Sequence, residues 1–358
     1  MLGHRALLDR SGLDGDGWGV LLGTRQLGLA LRLLAAEQER EHGTTSGGAD
    51  DGSREGHVIS LDEGFRIPRP CDATIIPCVA PFFAGSHRHF ARGDGHRHHA
   101  APTSRLFGTF DPMTSARLVT IPFSHFCEKA RWGLDRTKID YREEPHLPML
   151  SWVPALRASR VRTVPVLVAS GQVLASSHAI LRYCHERAPE AGLYPTDLER
   201  EVEELEAVFD RRVGPAARRI AYGHLLPEPD AVARLFAKGV PAWEAALARV
   251  LGAPMRAGMK RGLRIDAAGV ERSETTLAEI LTDVERRLED GRRWLFGDRF
   301  TAADLTFAAL STPLLAPATL ERFLGSLDDA PPAFRERVER FRATRAGALA
   351  QRAYDTER

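Results

Sequence analysis

Residues 122–131 read Pro-Phe-Ser-His-Phe-Cys-Glu-Lys-Ala-Arg and join two differently patterned stretches. Before them, Arg117-Leu-Val-Thr-Ile121 is a short apolar strand; after them, a helical period runs from His125 to about Thr137. Ser124 therefore falls at or just before a helix N-terminus, where unsatisfied backbone N–H groups and the helix dipole favour an anion. A hydroxyl there can donate to a bound thiolate and lower its pKa, and it is equally what an ordinary N-cap requires. Cys127 occupies the second, more buried place of a C-x-x-C motif whose first place is taken by Ser124. No dithiol mechanism follows from that motif, and Cys127 reads as a small apolar packing residue, as does Cys184 in its helical Leu-Arg-Tyr-Cys context.

Outward from this loop the pattern keeps alternating. Ile139-Asp-Tyr-Arg-Glu143 is a second strand, Met149 to Leu156 a weak helix, Val164-Pro-Val-Leu-Val168 a buried strand, and Gly171-Gln-Val-Leu174 its hairpin partner. Ser177 to Arg187 is helical. The order β-α-β-α-β-β-α predicts parallel pairs joined by crossover helices, with the hairpin adding an antiparallel edge. After Pro195 no strand pattern remains. Val202, Leu205, Val208, Phe209 and Val213 recur at helical spacing, and Ala231–Leu251, Thr276–Leu288, Thr301–Leu315 and Pro332–Ala348 continue as amphipathic helices.

Two further segments carry chemistry. Pro165 inside an apolar strand is out of place unless its bond is cis or the strand edge is open, and an open edge would offer the Val164 N–H and C=O to a peptide-like ligand. A plain edge-strand proline satisfies the same pattern. Ser176 and Ser177 precede a helix and suit a carboxylate, or simply cap the helix.

These features occur in one order, and in that order the sequence resembles the glutathione transferase family. The match includes the S-x-F-C helix start, the V-P-V-L strand, the S-S-x-A-I helix, and Gly297-Asp-Arg-Phe-Thr-Ala-Ala-Asp-Leu305, which is similar to that family's helix-capping motif with Thr301 as cap and Asp304 reaching back. The wording Ser-His-Phe-Cys-Glu-Lys-Ala-Arg-Trp is closest to a bacterial branch, and the resemblance covers about residues 116–345. It implies an α/β plus all-α protein: a thioredoxin-like glutathione-binding domain over 115–195 and an all-helical C-terminal domain over 198–350. By the same resemblance Ser124 meets the glutathione sulfur, the Val164 backbone, ahead of the family's cis-proline at Pro165, pairs with the cysteinyl part, and Ser177 takes the γ-glutamyl carboxylate. Ser176 stands where the family has Glu or Gln facing the γ-glutamyl amine. Arg160 and Arg162 are candidates for the glycyl carboxylate, and Tyr222, His224 and Trp243 for the second-substrate pocket. The implied activity is conjugation of glutathione to a small electrophile, a detoxifying reaction, by a cytoplasmic homodimer. Two alternatives stay open: a non-catalytic binding or interaction module, favoured by Ser176, and a glutathione-dependent thiol reductase using Cys127.

Composition changes near residue 113. Residues 1–112 hold 17 of the 31 glycines, 8 of the 13 histidines and no lysine. Such Gly-, Ser- and charge-rich sequence buries too little apolar surface to offset the entropy of ordering it, so a largely disordered extension is expected, with one amphipathic helix over Leu27–Arg40. The extension is expected to be dispensable, with Met113 a candidate start. Its histidines, His87, His89, His96, His98 and His99, could hold a transition metal only adventitiously, and Cys71 and Cys78 are not at a zinc-knuckle spacing, so no functional metal is expected. With 49 basic and 48 acidic residues the net charge is +1, which gives no reason to expect nucleic acid or an anionic membrane. The longest apolar stretch, Trp18–Ala36, is interrupted by Arg25 and Arg32, which excludes a membrane span there. Asp9, Asp14 and Asp16 precede it, unlike a secretory leader, and four cysteines make no disulfide framework, so a reducing cytosol is expected.

Overall fold

The structure, a computed structural model, describes residues 116–358. The expectations made for residues 1–112, the histidine run, Cys71, Cys78 and the Met113 start among them, lie outside the described residues.

The first half is a four-stranded sheet with helices. Strand β1 (Ala116–Thr120) leads through the Ser124 loop into α1 (His125–Arg136), then β2 (Tyr141–Pro145), α2 (Trp152–Ser159), β3 (Val166–Ala169), β4 (Gln172–Leu174) and α3 (Ser177–Arg187). The strand order is β2-β1-β3-β4. Only β1 and β2 run parallel; β3 is antiparallel to β1, with Leu118 opposite Leu167, and β4 is antiparallel to β3. The expectation of several parallel pairs is therefore corrected to one. The link carrying α2 brings the chain to the far side of β1 pointing the other way, so its crossover closes an antiparallel pair.

The second half is helical: α4 (Glu199–Leu225), α5 (Pro229–Phe236), α6 (Ala242–Gly262), α7 (Ala267–Arg287), α8 (Ala302–Leu315), α9 (Pro332–Arg342) and α10 (Arg345–Thr356). Every residue of α8 but Pro313 is buried, as a helix that is apolar all round must be. One core runs through both halves, joining Ala130, Trp132 and Leu134 of α1 and Leu181 of α3 to Phe209 of α4, Phe307 of α8 and Tyr354 of α10.

Three helix boundaries depart from the sequence reading. Ala231–Leu251, expected as one helix, is α5 and α6, because Gly239 turns the chain at φ +72° and Pro241 caps the next helix. Helix α7 begins well before Thr276, capped by the Asp266 carboxylate on the Gly269 N–H at 2.6 Å; its first turns bury only Gly269 and Ser273, which show no apolar period in the sequence. Pro332–Ala348 divides at Thr344, whose hydroxyl caps α10 on the Gly347 N–H. The turn is tight enough that a Cβ on Gly347 would lie 2.0 Å from the Phe341 carbonyl oxygen.

His146, in the link after β2, fastens the sheet half to α6. Its Nδ1 lies 2.6 Å from the Glu244 carboxylate and its Nε2 3.1 Å from Glu144, while the second Glu244 oxygen accepts the Leu147 N–H at 2.6 Å. Burial alone would depress this imidazole, but the two carboxylates outweigh it and carry it up to about 9. Because the folded pKa lies above the unfolded value of about 6.5, the stabilisation is fully present below pH ~6.5 and is lost as pH rises through ~9. We expect the unfolding free energy from denaturant titrations to fall between pH 6.5 and 9.5, by an amount on the order of 2 kcal/mol, and Glu244→Gln to flatten the fall. An equal slope in that variant would assign the loss to other groups.

Candidate active site

Ser124 is the N-cap of α1, in extended backbone (φ −78°, ψ 121°), with its Oγ accepting the Cys127 N–H at a long 3.4 Å. That bond uses an oxygen lone pair and leaves the hydroxyl proton uncommitted. The loop that presents it is braced from below. Arg131, almost fully buried, donates to the Pro122 carbonyl at 3.1 Å and pairs with Glu143 at 2.8 Å and Glu128 at 3.3 Å. Glu128 in turn accepts from Arg358 at 2.7 Å.

Cys127 is fully buried. Burial pushes its thiol up, against smaller opposing pulls from Arg131, the Ile121 N–H and Ser124. It packs beneath the loop instead of facing out of it. Cys184 is likewise buried, and burial pushes it up to about 12.

The other sequence-derived residues lie as follows. The Val164–Pro165 bond is cis, and Val164 precedes the β3 ladder, whose pairing with β1 starts at Val166 opposite Val119. Ser176 is exposed and caps α3, its Oγ accepting the Ala179 N–H at 3.1 Å. Ser177 follows in the first turn, 4% exposed, with no hydrogen-bond partner for its hydroxyl among the described residues. Arg160 is exposed in left-handed backbone (φ 62°), and Arg162 is stacked over the Trp152 ring at 5.8 Å.

A cavity of about 840 Å³ of atom-free space, partly open to solvent, lies between the α1 start, α4, α5 and the end of α8. Phe123 and His125 come from the Ser124 loop, Arg218 and Tyr222 from α4, Arg234 from α5 and Thr312 from α8. A smaller cleft lined by Ser124 shares Phe123, His125, Thr312 and Leu324 with it. Helices α1 and α4 approach closely because Gly214 has no side chain: a Cβ there would meet the Phe126 ring at 2.5 Å. Of the three residues expected at the second-substrate pocket, Tyr222 lines this cavity, His224 lines a separate one beyond it, and Trp243 lines neither. Sequence reasoning missed Arg218 and His125. Arg211-Arg212 and Arg218-Arg219 read as two equivalent basic pairs on one helix, and only the packing of α4 separates them.

Behind the site, Lys129 is fully buried, its ammonium 2.8 Å from Glu206 and 2.7 Å from Asp210. His178, Glu206 and Asp210 are close enough to share a cation, but that ammonium already sits among them. No helix among the described residues is long and apolar enough to cross a membrane.

Solved structures that this chain resembles include a glutathione S-transferase of Ceriporiopsis subvermispora in complex with glutathione (16% identity, 67% of this chain and 96% of that one, TM-score 0.45). Another, from Rhodospirillum rubrum, is 24% identical over 68% of this chain and 93% of that one (TM-score 0.39). Glutathione transferase F2 from Populus trichocarpa is 16% identical over 63% and 98% (TM-score 0.41). No curated protein matches the chain. The family model for the glutathione S-transferase N-terminal domain matches residues 118–192, spanning β1 to the turn after α3. That for the C-terminal domain matches residues 267–346, spanning α7 into α10. With both domain models matched in sequence, on the halves of the fold that correspond to them, the chain belongs to the glutathione S-transferase family.

Proposed function

We propose that the protein is a glutathione-dependent transferase, with a glutathione-binding domain over 115–195 and a helical domain over 198–350. The observation that carries this reading is Ser124: a helix N-cap with an uncommitted hydroxyl proton, lining a small cleft that adjoins a largely apolar cavity between the two halves. Glutathione would supply the sulfur nucleophile. Ser124 donates to the thiolate, the first turn of α1 adds its dipole, and the Val164 backbone ahead of β3 and Ser177 at the start of α3 hold the tripeptide. The thiol proton leaves to solvent; the new C–S bond then forms as the electrophile's bond to its leaving group breaks, and the leaving group departs with that electron pair. Holding both reactants in one cleft supplies proximity.

The exposed, capping Ser176 favours the second reading, a binding module without turnover, because no carboxylate stands there for the γ-glutamyl amine. The reductase alternative is disfavoured by the complete burial of Cys127.

Ser124→Ala tests the proposal. A hydrogen bond to a charged group is worth roughly 1.5–3 kcal/mol, so the bound thiol's pKa should rise by about one to two units. Turnover of a model aryl halide near neutral pH should fall about ten- to a hundredfold, with glutathione affinity little changed. Cys127→Ser should leave the reaction intact. The reverse pattern would promote the reductase, and a wild type that binds glutathione without turnover would promote the binding module.

A further inference from the structure

The cavity beside Ser124 carries an unmatched charge. Arg218 lines its wall from α4, partly buried, and no carboxylate or carbonyl is recorded bonding its guanidinium among the described residues. Burial lowers its pKa, opposed by Tyr222 and reinforced by Arg219, so no acidic neighbour supports the charge. Tyr222, one helical turn on, lines the same cavity, and no partner is recorded for its hydroxyl. His125 faces the cavity at 4% exposure, its ring held by the Gly214 carbonyl and its Nε2 without a partner. Burial first, and Arg218 second, hold that imidazole down at about 3, so it is neutral and leaves Arg218 as the charge at this wall. Arg234 and Lys238 add two further cations to the lining, against one carboxylate, Asp329, whose backbone carbonyl accepts from Arg234 at 3.1 Å. Most of the remaining lining is apolar, Phe123, Leu235 and Phe334 among it.

A desolvated cation without a partner costs free energy, and an incoming anion recovers it. The surrounding walls suit a hydrocarbon or aromatic body, not a polyanion. We propose that this cavity takes a mostly apolar molecule bearing one carboxylate, which pairs with Arg218 and accepts from the Tyr222 hydroxyl while the body of the molecule lies against Phe123 and Leu235. It rests on the transferase reading only in calling that molecule the second substrate. The carboxylate site stands on the geometry of α4 and the α1 start.

The test uses a matched pair of aryl halides, 4-chloro-3-nitrobenzoic acid and 4-chloro-3-nitrobenzamide, titrated calorimetrically into the full chain without glutathione. We expect the acid to bind at least tenfold more tightly than the amide. Arg218→Met should abolish the preference by weakening the acid alone, and Arg218→Lys should retain part of it. Arg218→Met also removes an unpaired charge, so its thermal midpoint should be at or above the wild type's, which separates lost affinity from lost fold. Equal binding of acid and amide, a preference that survives Arg218→Met, or no binding of either probe overturns the proposal. Turnover assayed separately with glutathione distinguishes the two readings. An acid preference without conjugation counts against the transferase alone, and conjugation without an acid preference counts against the carboxylate site alone.

Discussion

Lys129→Met should destabilise the protein at pH 7 by about 3–5 kcal/mol, the usual result of removing one partner from a buried ion pair. The ammonium is fully buried between Glu206, also fully buried, and Asp210. Methionine fills most of the volume, so the loss measures charge and not packing. Burial would raise the Glu206 carboxyl, but Lys129, with His178 and the Tyr194 hydroxyl at 2.6 Å, holds it below the ordinary range. Without the lysine, burial dominates and the folded pKa rises above the unfolded one. The variant's deficit should then be largest at neutral pH and shrink as pH falls and Glu206 takes a proton. Denaturant midpoints at pH 5 and 7 check this, and Lys129→Met combined with Glu206→Gln should recover part of the loss at pH 7. A deficit independent of pH would show that the cost is one of shape.

Asp304→Ala should be comparably severe, at about 3–5 kcal/mol. Its Oδ1 accepts the Leu295 N–H at 2.8 Å, and its Oδ2 accepts the Thr301 N–H at 3.0 Å and the Thr301 hydroxyl at 2.8 Å. Burial pushes this carboxyl up to about 6 in spite of those donors. Alanine leaves all three donors without a partner at the start of the most buried helix. Asp304→Asn keeps one acceptor oxygen and should lose about half as much. Thermal unfolding of both variants decides it. Equal midpoints for Ala and Asn would show that the carboxylate's charge, not its acceptor geometry, is what α8 requires.

The Asp304 motif illustrates what the sequence makes visible. A cap and its return partner are local, three residues apart, and their spacing states their bonding. The same holds for α3, whose Ser176 cap and first turn were readable from Ser-Ser before an apolar period. The β-α-β-α-β-β-α order was also legible, since each segment shows its own repeat. What was hidden is set by contacts remote in sequence. Nothing in Val166–Ala169 says that it pairs antiparallel to β1. Phe334, Val338 and Phe341 continue in period towards Leu349, so the break at Thr344 leaves little trace in the pattern. Ser124, Val164 and Ser177 could be nominated in advance as site residues because a family resemblance orders them. Arg218 could not, because the distinction between it and Arg219 is made by the rotation of α4 against the α1 start.

The clasp between Arg358 and α1 has a consequence for how the chain is made. Arg358 reaches Glu128 across 230 positions of sequence and also pairs with Asp135, while the Glu357 carbonyl accepts the Trp132 indole N–H at 3.1 Å. The strands and α1 leave the ribosome well before the helical half, yet the face of α1 that carries Trp132 is covered by α8 and α10, which emerge more than 150 residues later. During vectorial synthesis the nascent sheet half therefore waits with an apolar flank bare, in the interval when a holding chaperone has most to do. The helix that presents Ser124 acquires its final support only after α8, α10 and Arg358 have emerged.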